Sequence, residues 1–151
     1  MSLVMRAARA DDAVDIVRVL RTSRLAFLPY APPAHAQSEE LKWVRVTLIP
    51  SRGVTVAEID GAIVGVLAVM RREESSWIDQ LYVQPEFCGQ GIGTSLLKGV
   101  LSSLPRPVCL YTFQENWRAR RFYERFGFRP TEFSDGSDNE ERCPDILYEL
   151  R

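Results

Sequence analysis

Gly89, Gly91 and Gly93 alternate at the head of an apolar stretch that runs on through Leu96 and Leu97, directly after the strand-like run Leu81-Tyr82-Val83. A strand, a glycine turn and a helix in that order bring unpaired N–H groups and the positive end of a helix dipole to one spot. Without Cβ atoms at alternate positions, a bulky anion can approach the backbone closely. The chemistry such a turn offers is phosphate binding. The details exclude two common versions. No Gly-Lys-Ser/Thr follows, which argues against a nucleoside-triphosphate loop. A dinucleotide turn expects an acidic residue on the next strand, and the stretch Pro107–Phe113 carries no carboxylate.

A second segment narrows the chemistry. Asn116, Ala119, Phe122, Tyr123, Glu124, Gly127 and Phe128 form the pattern N-x-x-A-x-x-F-Y-E-x-x-G-F. Together with the glycine turn it resembles the GCN5-related N-acetyltransferase superfamily, whose hallmark is Q/R-x-x-G-x-G/A at a helix start followed by this Asn, Tyr-Glu and Gly-Phe pattern. Cys88 stands where that family usually has Gln or Arg, a small departure for a cradle built from backbone. The resemblance implies acetyl-CoA as co-substrate, with its diphosphate on the N–H groups of Gly89, Gln90, Gly91, Ile92, Gly93 and Thr94. It also implies that the pantetheine arm pairs with the backbone of Leu81, Tyr82 and Val83, as an added strand would. An N–H of that segment would polarise the thioester carbonyl. Asn116 would bind pantetheine or cap its helix.

The implied reaction is direct attack of an amine on the thioester. Tyr123 matches the general acid of many family members and lies two helical turns from Asn116, on the same face. The thiolate leaving group has an ordinary pKa of about 8.5, so protonating it helps without dominating. An alkyl ammonium, with a pKa of about 10, must first lose a proton. The strand before Asn116 supplies no carboxylate for this, and Asp79, between Trp77 and Leu81, is the candidate base; relay through water to bulk is the alternative. Cys88, near the diphosphate rather than the thioester, is a poor candidate for an acyl-cysteine. The segment Asp135–Asp145 resembles the Asp-Gly-x-x-Asn-Glu-Glu-x-x-Pro-Asp tail of a set of uncharacterised bacterial acetyltransferases. Asp135, Glu140 and Glu141 there would favour a cationic or amine-bearing acceptor, whether a small molecule or a protein amine. Competing readings are a non-catalytic acyl-CoA sensor and an acyltransferase for a different acyl group or acceptor.

Positioning these residues requires a mixed α/β (α+β) sheet, mostly antiparallel, with helices on both faces and the order β-α-α-β-β-β-α-β-α-β-β. The pattern predicts strands at Met5–Ala8, Val54–Ile59, Ala62–Met70, Trp77–Val83, Val108–Phe113, Phe128–Phe133 and Pro144–Leu150. Asp60-Gly61 marks a hairpin. Helices are expected at Ala13–Phe27, capped by Asp11 or Asp12, at Ser38–Ile49 closed by Pro50, at Ile92–Leu101 and at Asn116–Phe126. In the resembled fold the first two helices and their proline-rich connection shape the acceptor pocket. His35, the sole histidine, falls in that connection as a solvent-exposed loop residue.

The 151 residues suit one domain, 1–151, and the formal net charge of −1 lacks the basic surplus a nucleic-acid binder needs. No apolar run approaches the ~20 residues of a membrane span. Charged residues interrupt the N-terminus where a signal core would lie, and Met1–Leu3 has the look of an expression leader. Cys88, Cys109 and Cys143 have no paired spacing, which fits a reducing cytoplasm and implies neither a disulfide framework nor a metal site. A homodimer is compatible with the family resemblance.

Overall fold

The computed structural model describes residues 2–31 and 33–151; Met1, in the supposed leader, and Pro32, in the proline-rich connection, lie outside the described residues. Seven strands form one sheet in the order β1-β2-β3-β4-β5-β7-β6. They are β1 (Leu3–Ala7), β2 (Val54–Ile59), β3 (Ala62–Arg72), β4 (Ser75–Val83), β5 (Val108–Phe113), β6 (Arg129–Ser134) and β7 (Asp145–Leu150). All neighbours pair antiparallel except β4 with β5. Among the described residues the α-helices are α1 (Ala13–Phe27), α2 (Gln37–Trp43), α3 (Ile92–Leu101) and α4 (Trp117–Arg125).

Alternation along the strands sends side chains to two cores, one on each face. On one face Val54, Val56, Val66 and Ala68 meet Ile16, Val17 and Leu20 of α1. On the other, Ala57, Leu67, Ile78 and Leu110 meet Leu96 and Leu97 of α3 and Tyr123 of α4. The second helix departs from expectation. Its α-helical part ends at Trp43, followed by a π-helical turn (Val44–Leu48) and a 3-10 turn (Ile49–Ser51). Val44, Val46, Thr47 and Ile49 are β-branched and crowd a regular helix. The wider turn still buries Val44 and Leu48 while Val46 faces solvent.

The feature that makes a site is the parting of β4 from β5. Their parallel pairing is confined to Ser76 with Val108 and Trp77 with Cys109. Beyond it, β4 carries a bulge: Ile78 pairs with Val69 and Gln80 with Ala68, so Asp79 is the extra residue. A bulge bends its strand and strengthens the local twist. The far end of β4 is tied to α1, where Ser23 Oγ donates to the Val83 carbonyl at 2.9 Å. From Ile78 to Val83 the β5-facing edge of β4 is therefore left without a strand partner.

The sheet's strongest steric constraint lies at Gly53, where an added Cβ would sit 2.0 Å from the Val69 carbonyl oxygen. That oxygen belongs to backbone paired within the sheet, so it cannot move aside cheaply. Gly53→Ala is expected to destabilise the fold by about 1–3 kcal/mol, read from the urea unfolding midpoint.

Candidate active site

Two cavities meet at the parted strands. The first, about 600 Å³, lies between β4, the turn before α3, and α4. Gly89 and Gly91 adopt φ of +82° and +81°, the left-handed region that glycine enters without penalty. Gly91 caps α3, and its carbonyl accepts the first helical bond from Ser95 N–H at 2.9 Å. Among the described residues, the N–H groups of Gly89 through Thr94 have no hydrogen-bond acceptor. A Cβ at Gly89 or Gly91 would meet no protein atom within 4 Å, so both positions border open space. This is the geometry of an anion cradle at a helix N-terminus.

Of the residues the sequence points to, Leu81, Tyr82, Val83, Gly89, Gly91, Ile92, Gly93, Thr94, Asn116 and Tyr123 line this cavity. Gln90 does not; it is exposed between the two left-handed glycines. Asn116 caps α4, its Oδ1 accepting from Ala119 N–H at 3.2 Å. Tyr123 is buried, with its ring edge-on to Phe122 and Phe128. Its hydroxyl has no hydrogen-bond partner among the described residues, and burial pushes its pKa well above the ordinary tyrosine value. The phenol therefore stays protonated and suited to donate. Burial likewise raises the Cys88 pKa, and its Sγ–H lies 3.6 Å from the Val83 and Gln84 carbonyls, a thiol rather than a nucleophilic thiolate.

Sequence reasoning missed the arginines. Arg118, Arg121 and Arg125 also line the first cavity. Their spacing of three and four residues puts them along one face of α4, and that spacing was the available signal. Arg118 lies over the Phe27 ring at 4.5 Å.

The second cavity, about 570 Å³, shares Leu28, Tyr82 and Asn116 with the first and is otherwise bounded by Arg24 of α1, β4, β5, β6, β7 and the β6–β7 loop. Asp79 lines it, accepting from Arg72 Nη2 at 3.0 and 3.2 Å. Burial raises the Asp79 pKa, and the neighbouring guanidinium offsets only part of the rise. Tyr82 sits at the shared wall with Arg24 Nη1 3.3 Å from its hydroxyl, and its own pKa is raised by burial. Of the three acidic candidates from the tail, Glu141 lines this cavity, whereas Asp135 and Glu140 do not. Asp135 is exposed and accepts from Ser137 N–H at 2.9 Å. The Glu140 carboxylate lies 3.2 Å from His35 Nε2. With Cys143 Sγ 3.4 Å from the Tyr30 carbonyl, that contact straps the β6–β7 loop to the α1–α2 connection.

With this geometry in place, the comparisons with known proteins agree on one family. The model of the acetyltransferase (GNAT) domain matches residues 50–130. An uncharacterised N-acetyltransferase of Archaeoglobus fulgidus is 40% identical over 99 residues, covering 58% of this chain and 67% of that protein. The spermine/spermidine N(1)-acetyltransferase of Bacillus subtilis is 31% identical over 58 residues, 35% of this chain and 38% of that one. The PaiA N-acetyltransferase of Thermoplasma acidophilum, solved in complex with coenzyme A, has the same fold with a TM-score of 0.82 at 19% identity. That match covers 100% of this chain and 99% of that one. The chain belongs to the GNAT acetyltransferase family. No helix among the described residues is long and apolar enough to cross a membrane.

If the cradle holds a phosphate ligand, filling it should hurt binding more than folding. Gly91→Ala directs a methyl into open space and strains a left-handed residue by about 1 kcal/mol. Coenzyme A affinity, measured by calorimetry, is expected to fall at least about tenfold while the melting temperature drops only a few degrees.

Proposed function

We infer that the chain is an N-acetyltransferase, acting as one domain, that transfers acetyl from acetyl-CoA directly to a primary amine. The observation that carries this reading is the junction of a phosphate cradle and an acid-lined cavity across Leu28, Tyr82 and Asn116. Acetyl-CoA supplies an activated thioester. Every other part of the chemistry falls to residues of the chain.

In this reading the N–H groups of Gly89 through Thr94 bind the diphosphate, and Arg118, Arg121 and Arg125 add positive charge along the same cleft. The open edge of β4 from Leu81 to Val83 holds the pantetheine amides, and one of its N–H groups stabilises the developing oxyanion. Asp79 takes a proton from the acceptor ammonium. The nitrogen attacks the carbonyl carbon, the C–N bond forms, and the C–S bond breaks. Tyr123 gives its proton to the departing sulfur and recovers one from the nitrogen through solvent, so the net release is one proton. The raised pKa of Asp79 suits a base and that of Tyr123 an acid. An amine acceptor fits the named substrate of the Bacillus subtilis relative. The three free cysteines fit a reducing cytoplasmic setting.

Two substitutions test the assignment by thiol release. Tyr123→Phe keeps the buried ring and is expected to lower kcat at least about tenfold with acetyl-CoA affinity retained. Asp79→Asn is expected to lower kcat by about a hundredfold at neutral pH and to recover as pH rises and the free amine accumulates. Unchanged kcat in both variants would remove Tyr123 and Asp79 from the chemistry, and acetyl-CoA binding with no thiol release from the wild type on any amine would instead support a role as a sensor.

A further inference from the structure

We propose that Arg121 and Arg125 bind a phosphate monoester, the ribose 3′-phosphate of coenzyme A, and so select coenzyme A over carriers that lack that group. The proposal rests on the reading of the first cavity as the coenzyme cleft and deepens it. Arg118, Arg121 and Arg125 line that cavity, and among the described residues no Asp or Glu does. In a chain of net charge −1, a cavity whose charged lining is cationic throughout is a local exception.

The arginines of α4 have unlike surroundings. Arg120 is fully engaged: its Nε donates to the Tyr148 hydroxyl at 3.1 Å, its Nη1 to the Gln114 carbonyl at 3.0 Å, and its guanidinium covers the Trp117 ring at 3.9 Å. Arg118 lies over the Phe27 ring and stands close enough to the Cys88 thiol to oppose the rise in its pKa. Arg121 and Arg125 have no ion-pair partner among the described residues. Glu124, the acid of this helix, accepts from the Tyr148 hydroxyl at 2.6 Å instead. The pattern is costly to the helix on its own. Like charges three and four residues apart repel, and a first turn with Arg118 and no acid opposes the helix dipole. An anion in the cavity relieves both.

Position along α4 separates these two arginines from the diphosphate cradle. Phe122 packs on the first turn of α3, its ring atoms 3.7 Å from where a Cβ on Gly93 would stand. The middle of α4 is thereby fixed beside the cradle, with Arg118 one turn towards its start, on the Cys88 side, and Arg125 one turn towards its end. From Arg118 to Arg125 the helix rises about 10 Å, more than a diphosphate bridge spans. The N–H groups of Gly89 through Thr94 suit a diphosphate, whose phosphates carry one negative charge each. A monoester carries nearly two. Guanidinium forks set one turn apart match that charge and the free oxygens that bear it.

The experiment is calorimetric binding of coenzyme A and dephospho-coenzyme A to the full chain, wild type and Arg121→Gln/Arg125→Gln, with thiol release from acetyl-CoA followed on an amine panel. The wild type is expected to bind coenzyme A at least about tenfold more tightly, and that preference to shrink at raised salt. In the double variant coenzyme A is expected to lose several-fold more affinity than the dephospho form, closing most of the gap. Equal affinities in the wild type, a gap that survives the substitutions, or equal losses for both ligands would overturn the proposal. Should the double variant fail to fold by circular dichroism, Arg121→Gln and Arg125→Gln singly carry the comparison. A preference for coenzyme A without thiol release on any amine would defeat the transferase reading and uphold the arginine assignment. Release with equal affinities for the two ligands would do the reverse.

Discussion

The architecture depends on a single interruption of strand pairing. β4 and β5 pair over two residues and then part, because the bulge at Asp79 bends β4 while the Ser23 hydroxyl anchors its far end to α1. A fully zipped sheet would bury the β4 edge in backbone hydrogen bonds and leave no space between the strands. Parted, the sheet leaves unsatisfied backbone groups at its centre, a cost that a peptide-like ligand can offset by pairing with them. The helices then complete the walls: α3 begins where β4 ends, and α4 begins where β5 ends, so both helix starts converge on the gap.

Electrostatics divides the gap into two unlike halves. Arg118, Arg121 and Arg125 join the free N–H groups on one side, while carboxylates of β6, β7 and their loop gather on the other. The near-zero formal charge of the chain conceals this polarity. Burial raises pKa values in both halves: it holds Tyr123 and Cys88 of the first cavity in their neutral forms and makes Asp79 of the second a stronger base than an exposed aspartate. In the proposed reaction, the same effect of burial would suit Tyr123 as acid and Asp79 as base.

Much of this was legible in the chain before its structure. Ala13–Phe27, Val54–Ile59, Ile92–Leu101 and Val108–Phe113 have the bounds that caps, turns and apolar spacing predict. The glycine turn was readable because local backbone geometry demands those residues. The π-helical turn at Val44–Leu48 was not, since it reflects a compromise between β-branched crowding and the burial of two particular side chains. The bulge at Asp79 is a relation between strands, invisible to the period of either. For the same reason Glu132 went unnoticed, and within the Asp135–Asp145 segment the sequence reading chose Asp135 and Glu140, while Asp138 and Asp145 line the cavity: its carboxylates are assembled by folding, and adjacency in the chain is a poor guide to which acids reach it.

Leu28, Tyr82 and Asn116 are walls common to both cavities. A common wall acts as a ruler. On the proposed reading, with an acyl-CoA on the β4 edge and the acceptor in the second cavity, an acyl group longer than acetyl would reach past these three residues into the acceptor's volume. Choice of acyl chain and choice of acceptor are then one decision made at one boundary. Evolution could not broaden the first without trimming the second, and the bulk of the Tyr82 side chain is where that exchange would be struck.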